Sequence, residues 1–327
     1  MKKRENLKNA AFFAVILILV LVFLISGLHI LESTVLQNGD IQETTGKKTI
    51  VRNGVEYFPR QDITVTLVMG IDQSGPVVDS GYYRNEGAAD LVMLLIFDEE
   101  AKDYSILYLN RDTMLTMPVL GIDGRPAGNN FGQLALAHTF GNGLERSCEN
   151  VKKTVSDFLY GLQIDYYVSM NMDAIATMND AVGGVKVTVT EDFSKVDPTI
   201  PMGEVILRGP QAINYVRTRK NVGDQLNLSR IERQKDYIHG FMEAFKTTSA
   251  QSTNFMVSAY EDISPYMVTD CSVNAINGML SRYKDFTLRQ IVTPEGENVL
   301  GEEYYEFHVD EEALDALILE LFYSPKK

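Results

Sequence analysis

The sequence predicts a single α/β domain behind an N-terminal membrane helix, and three observations support this fold class. Residues 10–25 form an unbroken apolar run. Short apolar runs rich in β-forming residues follow at 63–70, 91–97 and 104–110, which is typical of strands in a sheet covered on both faces. From residue 149 onward, apolar residues recur at helical spacing, so helices are expected to cover that sheet.

The composition is that of a folded, acidic chain. Of its 327 residues, 45% are hydrophobic and 23% are charged, so the chain can bury a core and wholesale disorder is excluded. A net charge of −14 argues against broad, non-specific binding of nucleic acid. Two cysteines exclude a disulfide-dense scaffold and a Cys-rich zinc module. Cys148 and Cys271 either pair or remain two separate buried thiols.

The apolar run is long enough to cross a membrane. With its low-polarity extension it covers residues 10–31, and about 20 apolar residues span the ~30 Å of hydrocarbon as a helix. The head, residues 1–9, carries four basic residues and one acidic residue, which favours a cytoplasmic N-terminus. A cleaved signal peptide is the alternative, but the run is long and no small-x-small cleavage site follows it.

The predicted organisation is therefore that of a single-pass protein of the cell membrane. An extracellular tether, residues 32–61, leads to an extracellular catalytic domain at 62–327. A small hairpin is expected across Asn53-Gly54 of the tether. Within the domain we expect a hairpin at 98–103, helices at 149–161, 173–182, 229–245, 272–283 and 310–322, and further strands at 166–170, 185–189 and 287–292.

The common catalytic signatures are absent from the sequence. It contains no G-x-S-x-G, Walker A, H-E-x-x-H or C-x-x-C motif. Only four histidines occur, and nothing favours a Ser/His/Asp hydrolase. The candidate chemistry therefore rests on carboxylates and arginines.

Two aspartates lie at the ends of predicted buried strands. Asp72 follows the strand 63–70, and Asp90 directly precedes the strand 91–97. Taken alone, each is more simply an Asx-turn or a solvated strand-entry residue. If the two strands are parallel neighbours at one edge, however, the carboxylates converge there. Such a pair, completed by waters and substrate phosphates, suits Mg²⁺ or Mn²⁺.

Arginines supply the second candidate feature. Arg111 follows the strand 104–110, and residues 208–235 hold seven basic residues against two acidic ones. A solvated basic helix face is the simpler interpretation of that segment. Five of the seven are arginines, however, and arginine grips phosphate oxygens bidentately. Together with the carboxylates they indicate a metal-assisted phosphate or pyrophosphate site.

The motifs and their order resemble the LytR-CpsA-Psr (LCP) family of cell-wall glycopolymer ligases. The resemblance covers roughly residues 63–246, behind an N-terminal anchor. The matching segments are LVMGID (67–72), ADLVMLLIFD (89–98), YLNRDT (108–113), DYYVSMNMDAIATMNDAVGGVKV (165–187), GPQAINYVRTR (209–219) and SRIERQ (229–234).

The resemblance implies both an architecture and an activity. The architecture is a single LCP-like domain with a central mixed β-sheet covered by helices on both faces and an apolar tunnel for a polyprenyl tail. The implied activity is Mg²⁺-assisted transfer of a glycan phosphate from an undecaprenyl-pyrophosphate-linked donor to peptidoglycan, in teichoic acid or capsule attachment. Its implied partners are that donor, the peptidoglycan acceptor and the membrane, and none is a nucleic acid.

The resemblance also assigns roles to individual residues. It places the metal ligands at Asp72 and Asp90. The candidate catalytic base is Asp224 or one of these two metal aspartates. The residues implied to bind the pyrophosphate, of which the first is also a catalytic candidate, are Arg111, Arg217, Arg219, Arg233 and Gln234.

The chain departs from the family pattern in three places. Ser74 and Ala88 stand where the family often has arginines, and the segment 224–227 replaces Asp-Phe-Gly-Arg. Fewer cationic groups weaken the neutralisation of a pyrophosphate. Two alternatives therefore stay open: a polyprenyl-pyrophosphate phosphohydrolase, and a non-catalytic membrane-anchored envelope regulator that binds polyprenyl lipids.

Overall fold

The computed structural model of the chain describes residues 49–326 with short gaps. The gaps are 82, 219–220, 224–232, 234–235, 238, 242, 246, 249–250, 252–254, 273–274, 276–277, 280–281, 284 and 302–303. The predicted membrane helix at 10–31 and most of the predicted tether lie outside the described residues. Among the residues that are described, no helix is both long and apolar enough to span a bilayer.

Strands and helices alternate along the described chain. The strands are β1 (Ile50–Arg52), β2 (Val55–Pro59), β3 (Ile63–Ile71), β4 (Ala89–Asp98), β5 (Asp103–Leu109), β6 (Met114–Leu120), β7 (Pro126–Gln133), β8 (Tyr166–Asn171), β9 (Val185–Val189), β10 (Gly203–Leu207), β11 (Met267–Thr269), β12 (Thr287–Val292), β13 (Gly296–Leu300), β14 (Tyr305–Val309) and β15 (Tyr323–Pro325). The helices are α1 (Glu145–Phe158), α2 (Asp173–Ala181), α3 (Pro210–Arg217), α4 (Phe255–Ile263) and α5 (Glu311–Phe322). A 3₁₀ segment, Leu134–Thr139, precedes α1, and helical residues are also described within 233–251 and 275–283.

Six strands of the described chain form a central mixed sheet in the order β11-β8-β3-β4-β5-β12. The pairs β3–β8 and β5–β12 are parallel, and the remaining neighbours are antiparallel. The predicted α/β class with a central mixed sheet is therefore confirmed.

The sheet is covered on both faces, because successive residues of β4 point to opposite sides. Val92, Leu94 and Ile96 join one buried cluster with residues of α1 and α5, whereas Met93 and Leu95 join another with Tyr283. Fully burying each such side chain contributes about 1.5–3 kcal/mol. The continuous apolar run at 91–97 is thus explained by burial on two faces.

A separate apolar cluster holds α3 in place. The β9–β10 hairpin, α2, α3 and α4 pack together beside β8 through buried residues such as Met178, Val187, Tyr215 and Ala259. This packing carries the C-terminal end of α3 toward the edge of the central sheet.

Several local predictions are confirmed. Asn53 and Gly54 adopt positive φ values of 50° and 76° in the turn between β1 and β2, as the hairpin requires. The side chain of Asp310 accepts hydrogen bonds from the backbone N–H groups of Glu312 and Ala313 at the start of α5. β2 also pairs with β15, so residues of the predicted tether meet the C-terminal end of the domain.

The sequence did not predict every element of the structure. The β6–β7 hairpin was missed because β7 (PAGNNFGQ) is rich in Gly and Asn and lacks apolar alternation. Ser229, the predicted N-cap of the helix at 229–245, lies outside the described residues. Cys148 and Cys271 both lie buried as free thiols, which resolves the question of their pairing.

Candidate active site at the edge of the sheet

Asp72 and Asp90 lie at the same edge of the sheet, as proposed, but for a different reason. The parallel arrangement considered as a condition for their meeting does not occur: β3 and β4 pair antiparallel, so the end of β3 meets the start of β4. The backbone N–H of Asp72 donates to the carbonyl of Ala88 at 3.0 Å, which continues this pairing past the strand end. Antiparallel pairing therefore brings the two aspartates together.

A β-bulge makes Asp90 the extra residue of its strand. Gly70 pairs with Leu91 and Ile71 pairs with Ala89, so Asp90 has no partner on β3. Bulges of this kind re-aim a side chain and are frequent beside active sites. Gly70 permits the close approach, because a Cβ at this position would lie 3.0 Å from the Cβ of Leu91.

The next hairpin brings Arg111 to the same edge. Val92 pairs with Leu109, so the chain leaves β5 beside Asp90. An Asx turn follows, in which the Asp112 N–H donates to Asn110 Oδ1 at 3.0 Å. From this turn the Arg111 guanidinium forms an ion pair with Asp90, and its Nε lies 3.4 Å from Asp112 Oδ1.

Arg217 reaches the cluster from the other side. It is the last residue of α3, where a cation is favoured by the helix dipole. Its Nη2 lies 3.2 Å from Asp72 Oδ1, and both side chains are about half exposed. Four separate segments of the chain thus contribute Asp72, Asp90, Arg111 and Arg217.

The charges of these groups act on one another, so the groups form one electrostatic cluster. Burial raises the pKa of Asp90; the positive charges of Arg111 and Arg217 oppose this rise, and the negative charge of Asp72 adds to it. Burial likewise raises the pKa of Asp112, against the opposing charge of Arg111. The site therefore holds closely spaced carboxylates whose repulsion is balanced by guanidiniums.

The structure places Arg233 in a buried position beside the end of α3. Its side chain is 5% exposed and forms a buried ion pair with Glu191, while its Nε donates to the carbonyl of Tyr215 at 3.1 Å. Another of its nitrogens donates to the carbonyl of Thr218. Because these carbonyls belong to the C-terminal end of α3, Arg233 holds the backbone that carries Arg217. The binding of pyrophosphate by Arg233 stays a prediction.

Three further predicted site residues lie outside the described residues. They are Arg219, Asp224 and Gln234, and their assigned roles stay predictions.

The loop before β4 is held by buried polar contacts. Asn85 Nδ2 donates to the carbonyl of His138 at 2.9 Å and to Ser147 Oγ at 3.0 Å, and its Oδ1 accepts from the Gly87 N–H. The His138 Nδ1 lies 2.7 Å from the Gly87 carbonyl, and burial lowers the pKa of this histidine to about 4. His138 is therefore neutral at neutral pH and supports the loop that leads into Asp90.

The carboxylate pair fits a hard divalent cation. Across the described ranges, no group of three or more His, Cys, Asp or Glu side chains is placed to hold a metal. Mg²⁺, however, is commonly bound by one or two carboxylates together with substrate phosphates and waters. Asp72 and Asp90 provide such a partial set, with oxygen ligands only.

Asp112 and Gln133 are site residues that the motif analysis did not assign. Gln133 Nε2 donates to Asp112 Oδ1 at 3.0 Å, which links β7 to the cluster. Asp112 stands within the segment YLNRDT and could have been considered there. Gln133 carried no sequence signal, because only the fold brings β7 beside Arg111.

The different roles of Arg233 and Arg217 can be tested by measuring the free energy of unfolding of two variants. Arg233→Ala is expected to lower the free energy of unfolding by about 3–5 kcal/mol, because it leaves Glu191, whose side chain is only 14% exposed, without its partner. Arg217→Ala, which breaks an exposed pair, should cost less than about 1 kcal/mol. Urea unfolding of the two purified variants measures both values. Equal losses would contradict the structural role assigned to Arg233.

Comparison with known proteins agrees with the fold. The model of the LytR_cpsA_psr family matches residues 31–322. The chain is 27% identical over 230 residues to the polyisoprenyl-teichoic acid–peptidoglycan teichoic acid transferase TagT of Bacillus subtilis, a match covering 67% of this chain and 62% of TagT. It is 25% identical over 259 residues to TagU of Oceanobacillus iheyensis, named as the same kind of transferase, a match covering 76% of this chain and 73% of TagU. The crystal structure of B. subtilis TagV superposes with a TM-score of 0.54 at 23% identity, covering 80% of this chain and 96% of that structure, and so shares the fold. This chain belongs to the LytR-CpsA-Psr family.

Proposed function

We propose that the protein transfers a glycan phosphate from a polyprenyl-pyrophosphate-linked glycopolymer to peptidoglycan. The observation that carries this proposal is the convergence of Asp72, Asp90, Arg111 and Arg217 at one edge of the sheet. Relatives such as TagT and TagU are named as transferases that attach teichoic acid to peptidoglycan. A site of paired carboxylates and arginines matches the charge of a diphosphate donor.

The arginines supply the charge stabilisation. A diphosphate diester repels an oxygen nucleophile through its own negative charge, and phosphoryl transfer is catalysed mainly by positioning and electrostatics. Arg111 pairs with Asp90, and Arg217 pairs with Asp72. We assign them to the phosphate oxygens, where they take up charge as the bond to the leaving group breaks.

Asp72 and Asp90 would hold Mg²⁺, with Mn²⁺ as a substitute. When bound, the ion would supply Lewis-acid polarisation of the phosphate oxygens and neutralise part of their charge. Without such a cation, two adjacent carboxylates would repel an anionic donor, so their presence in a diphosphate site supports the metal assignment.

We propose that Asp112 accepts the proton of the acceptor sugar's hydroxyl group. In the proposed step the hydroxyl oxygen of the acceptor sugar bonds to the phosphorus that carries the glycan. The bond from that phosphorus to the bridging oxygen breaks, and its electron pair leaves with polyprenyl phosphate. The hydroxyl proton passes to a carboxylate, and Asp112 is half-buried beside Arg111 with a raised pKa, which favours proton acceptance. Asp224, the earlier candidate for this role, lies outside the described residues.

We further propose that residues 10–31 anchor the domain on the outer face of the cell membrane. The apolar run and the basic head support this. A lipid-linked donor and an anchored enzyme share one surface, which raises their effective concentration.

The proposed function predicts acceptor-dependent release of polyprenyl phosphate. The full-length protein, in vesicles holding a polyprenyl-pyrophosphate-linked glycan and Mg²⁺, should release the lipid phosphate only when peptidoglycan is added. Arg111→Ala should slow this release by about 10²–10³-fold, because one group that stabilises developing charge is lost. Release is followed by chromatography of the lipid products.

The matched control is Arg125→Ala, which removes an exposed arginine at the tip of the β6–β7 hairpin and should leave the rate unchanged.

Chelation by EDTA should stop the release, and added Mg²⁺ should restore it. Release that does not need peptidoglycan would show a hydrolase instead. Donor binding without release would show a non-catalytic regulator.

The role of Asp112 predicts a specific pH dependence. A carboxylate accepts a proton only when ionised, so transfer should fall as the pH is lowered through the raised pKa of Asp112. That acidic limb should lie above the ~3.9 of an ordinary aspartate. Asp112→Asn should lower kcat by about 10²–10⁴-fold and remove the limb. Asp157→Asn, on the exposed side of α1, should keep the native profile, and native activity in Asp112→Asn would refute the assignment.

A further inference from the structure

We infer that the outer face of the β6–β7 hairpin is a saccharide-binding strip for the peptidoglycan acceptor, continuous with the active site. The strip consists of the exposed residues Thr116, Asn129 and Phe131, and buried Gln133 joins it to the active site. This inference rests on the proposed function and adds to it the place where the acceptor glycan lies.

The register of the hairpin puts these residues on one face. Gln133 pairs with Met114, Phe131 with Thr116, and Asn129 with Pro118, and directly opposed residues of an antiparallel pair share a face. The alternate residues Leu115 and Met117 point the other way and are buried in the core. The strip is therefore the solvent face of a hairpin whose inner face is fixed.

The strip begins at the catalytic cluster. Gln133 donates to Asp112, whose neighbour Arg111 pairs with Asp90. Backbone hydrogen bonds hold this junction: the Leu134 N–H donates to the Thr113 carbonyl at 2.9 Å, and the Ala135 N–H donates to the Arg111 carbonyl at 3.0 Å. Phe131 lies two residues further along the same face of β7, about 7 Å from Gln133 along the strand.

The chemistry of the strip fits a sugar. Phe131 is 63% exposed, although a phenyl ring gains by leaving water. Its ring face carries partial negative charge and can stack against the C–H face of a pyranose. Thr116 and Asn129, both exposed beside it, offer a hydroxyl and an amide that can donate to and accept from sugar hydroxyls. All three exposed strip residues are uncharged, which suits neutral hydroxyls better than a phosphate chain.

The order of groups across the sheet edge assigns the strip to the acceptor. Arg217 and Asp72 lie at one end of the cluster, Asp90 and Arg111 in the middle, and Asp112 at the end that meets the strip. In an in-line transfer the attacking oxygen and the leaving oxygen lie on opposite sides of the phosphorus. A sugar on the strip presents its hydroxyl beside Asp112, which leaves the Arg217 end for the departing lipid phosphate.

The sequence offers a direct probe, because the chain contains no tryptophan. Phe131→Trp would place a single indole on the strip while keeping an aromatic face. In the full-length protein, its fluorescence should change and saturate as peptidoglycan glycan oligomers are added. The same change should occur when Phe131→Trp is combined with Arg111→Ala, so that glycan binding is read out even where transfer is lost. Ile122→Trp, at the exposed tip of the same hairpin, should show no change.

Kinetics complete the test. Phe131→Ala should raise the KM for the acceptor glycan roughly tenfold while leaving the KM for the lipid-linked donor and kcat near native values. Phe131→Trp should retain the native KM, and Ile122→Ala should behave as the native protein. An unchanged acceptor KM together with unchanged fluorescence would overturn the inference. A rise in the donor KM alone would assign the strip to the donor glycan and equally refute it.

Discussion

The site depends on the antiparallel pairing of β3 with β4, interrupted by the bulge at Asp90. Without the pairing, Asp72 and Asp90 would lie at opposite edges of the sheet. Without the bulge, Asp90 would continue the alternation of a strand that is buried on both faces, where an unpaired carboxylate is costly. A single irregularity in a strongly apolar hairpin thus places a charged group at the exposed edge of a rigid sheet.

The remaining site residues are held in place by hydrogen bonds of polar side chains. Arg111 stands in an Asx turn that Asn110 stabilises, and the loop before β4 is held by Asn85 and His138. Arg217 is fixed indirectly, because buried Arg233 binds the carbonyls that end α3. Arg217 and the loop that leads into Asp90 are therefore backed by buried polar contacts, which limits reorganisation when an anionic ligand binds.

The fold was largely predictable, because strong apolar runs such as 91–97 have few alternatives to a buried strand. The site was predictable in part: motif order selected Asp72, Asp90, Arg111 and Arg217, which the structure brings together. Strand direction was not predictable, since a carboxylate at a strand end is compatible with parallel or antiparallel neighbours. The burial of Arg233 was not predictable, because a sequence shows charge but not burial. The β6–β7 hairpin was missed because β7 lacks apolar alternation.

The convergence of carboxylates and arginines on one diphosphate can be observed by anomalous diffraction from crystals grown with Mn²⁺ and a short-chain polyprenyl diphosphate. We expect one manganese peak bound by both Asp72 and Asp90, with the guanidiniums of Arg111 and Arg217 on the diphosphate oxygens. Manganese bound away from either aspartate, or a diphosphate held without these two arginines, would contradict the proposed site.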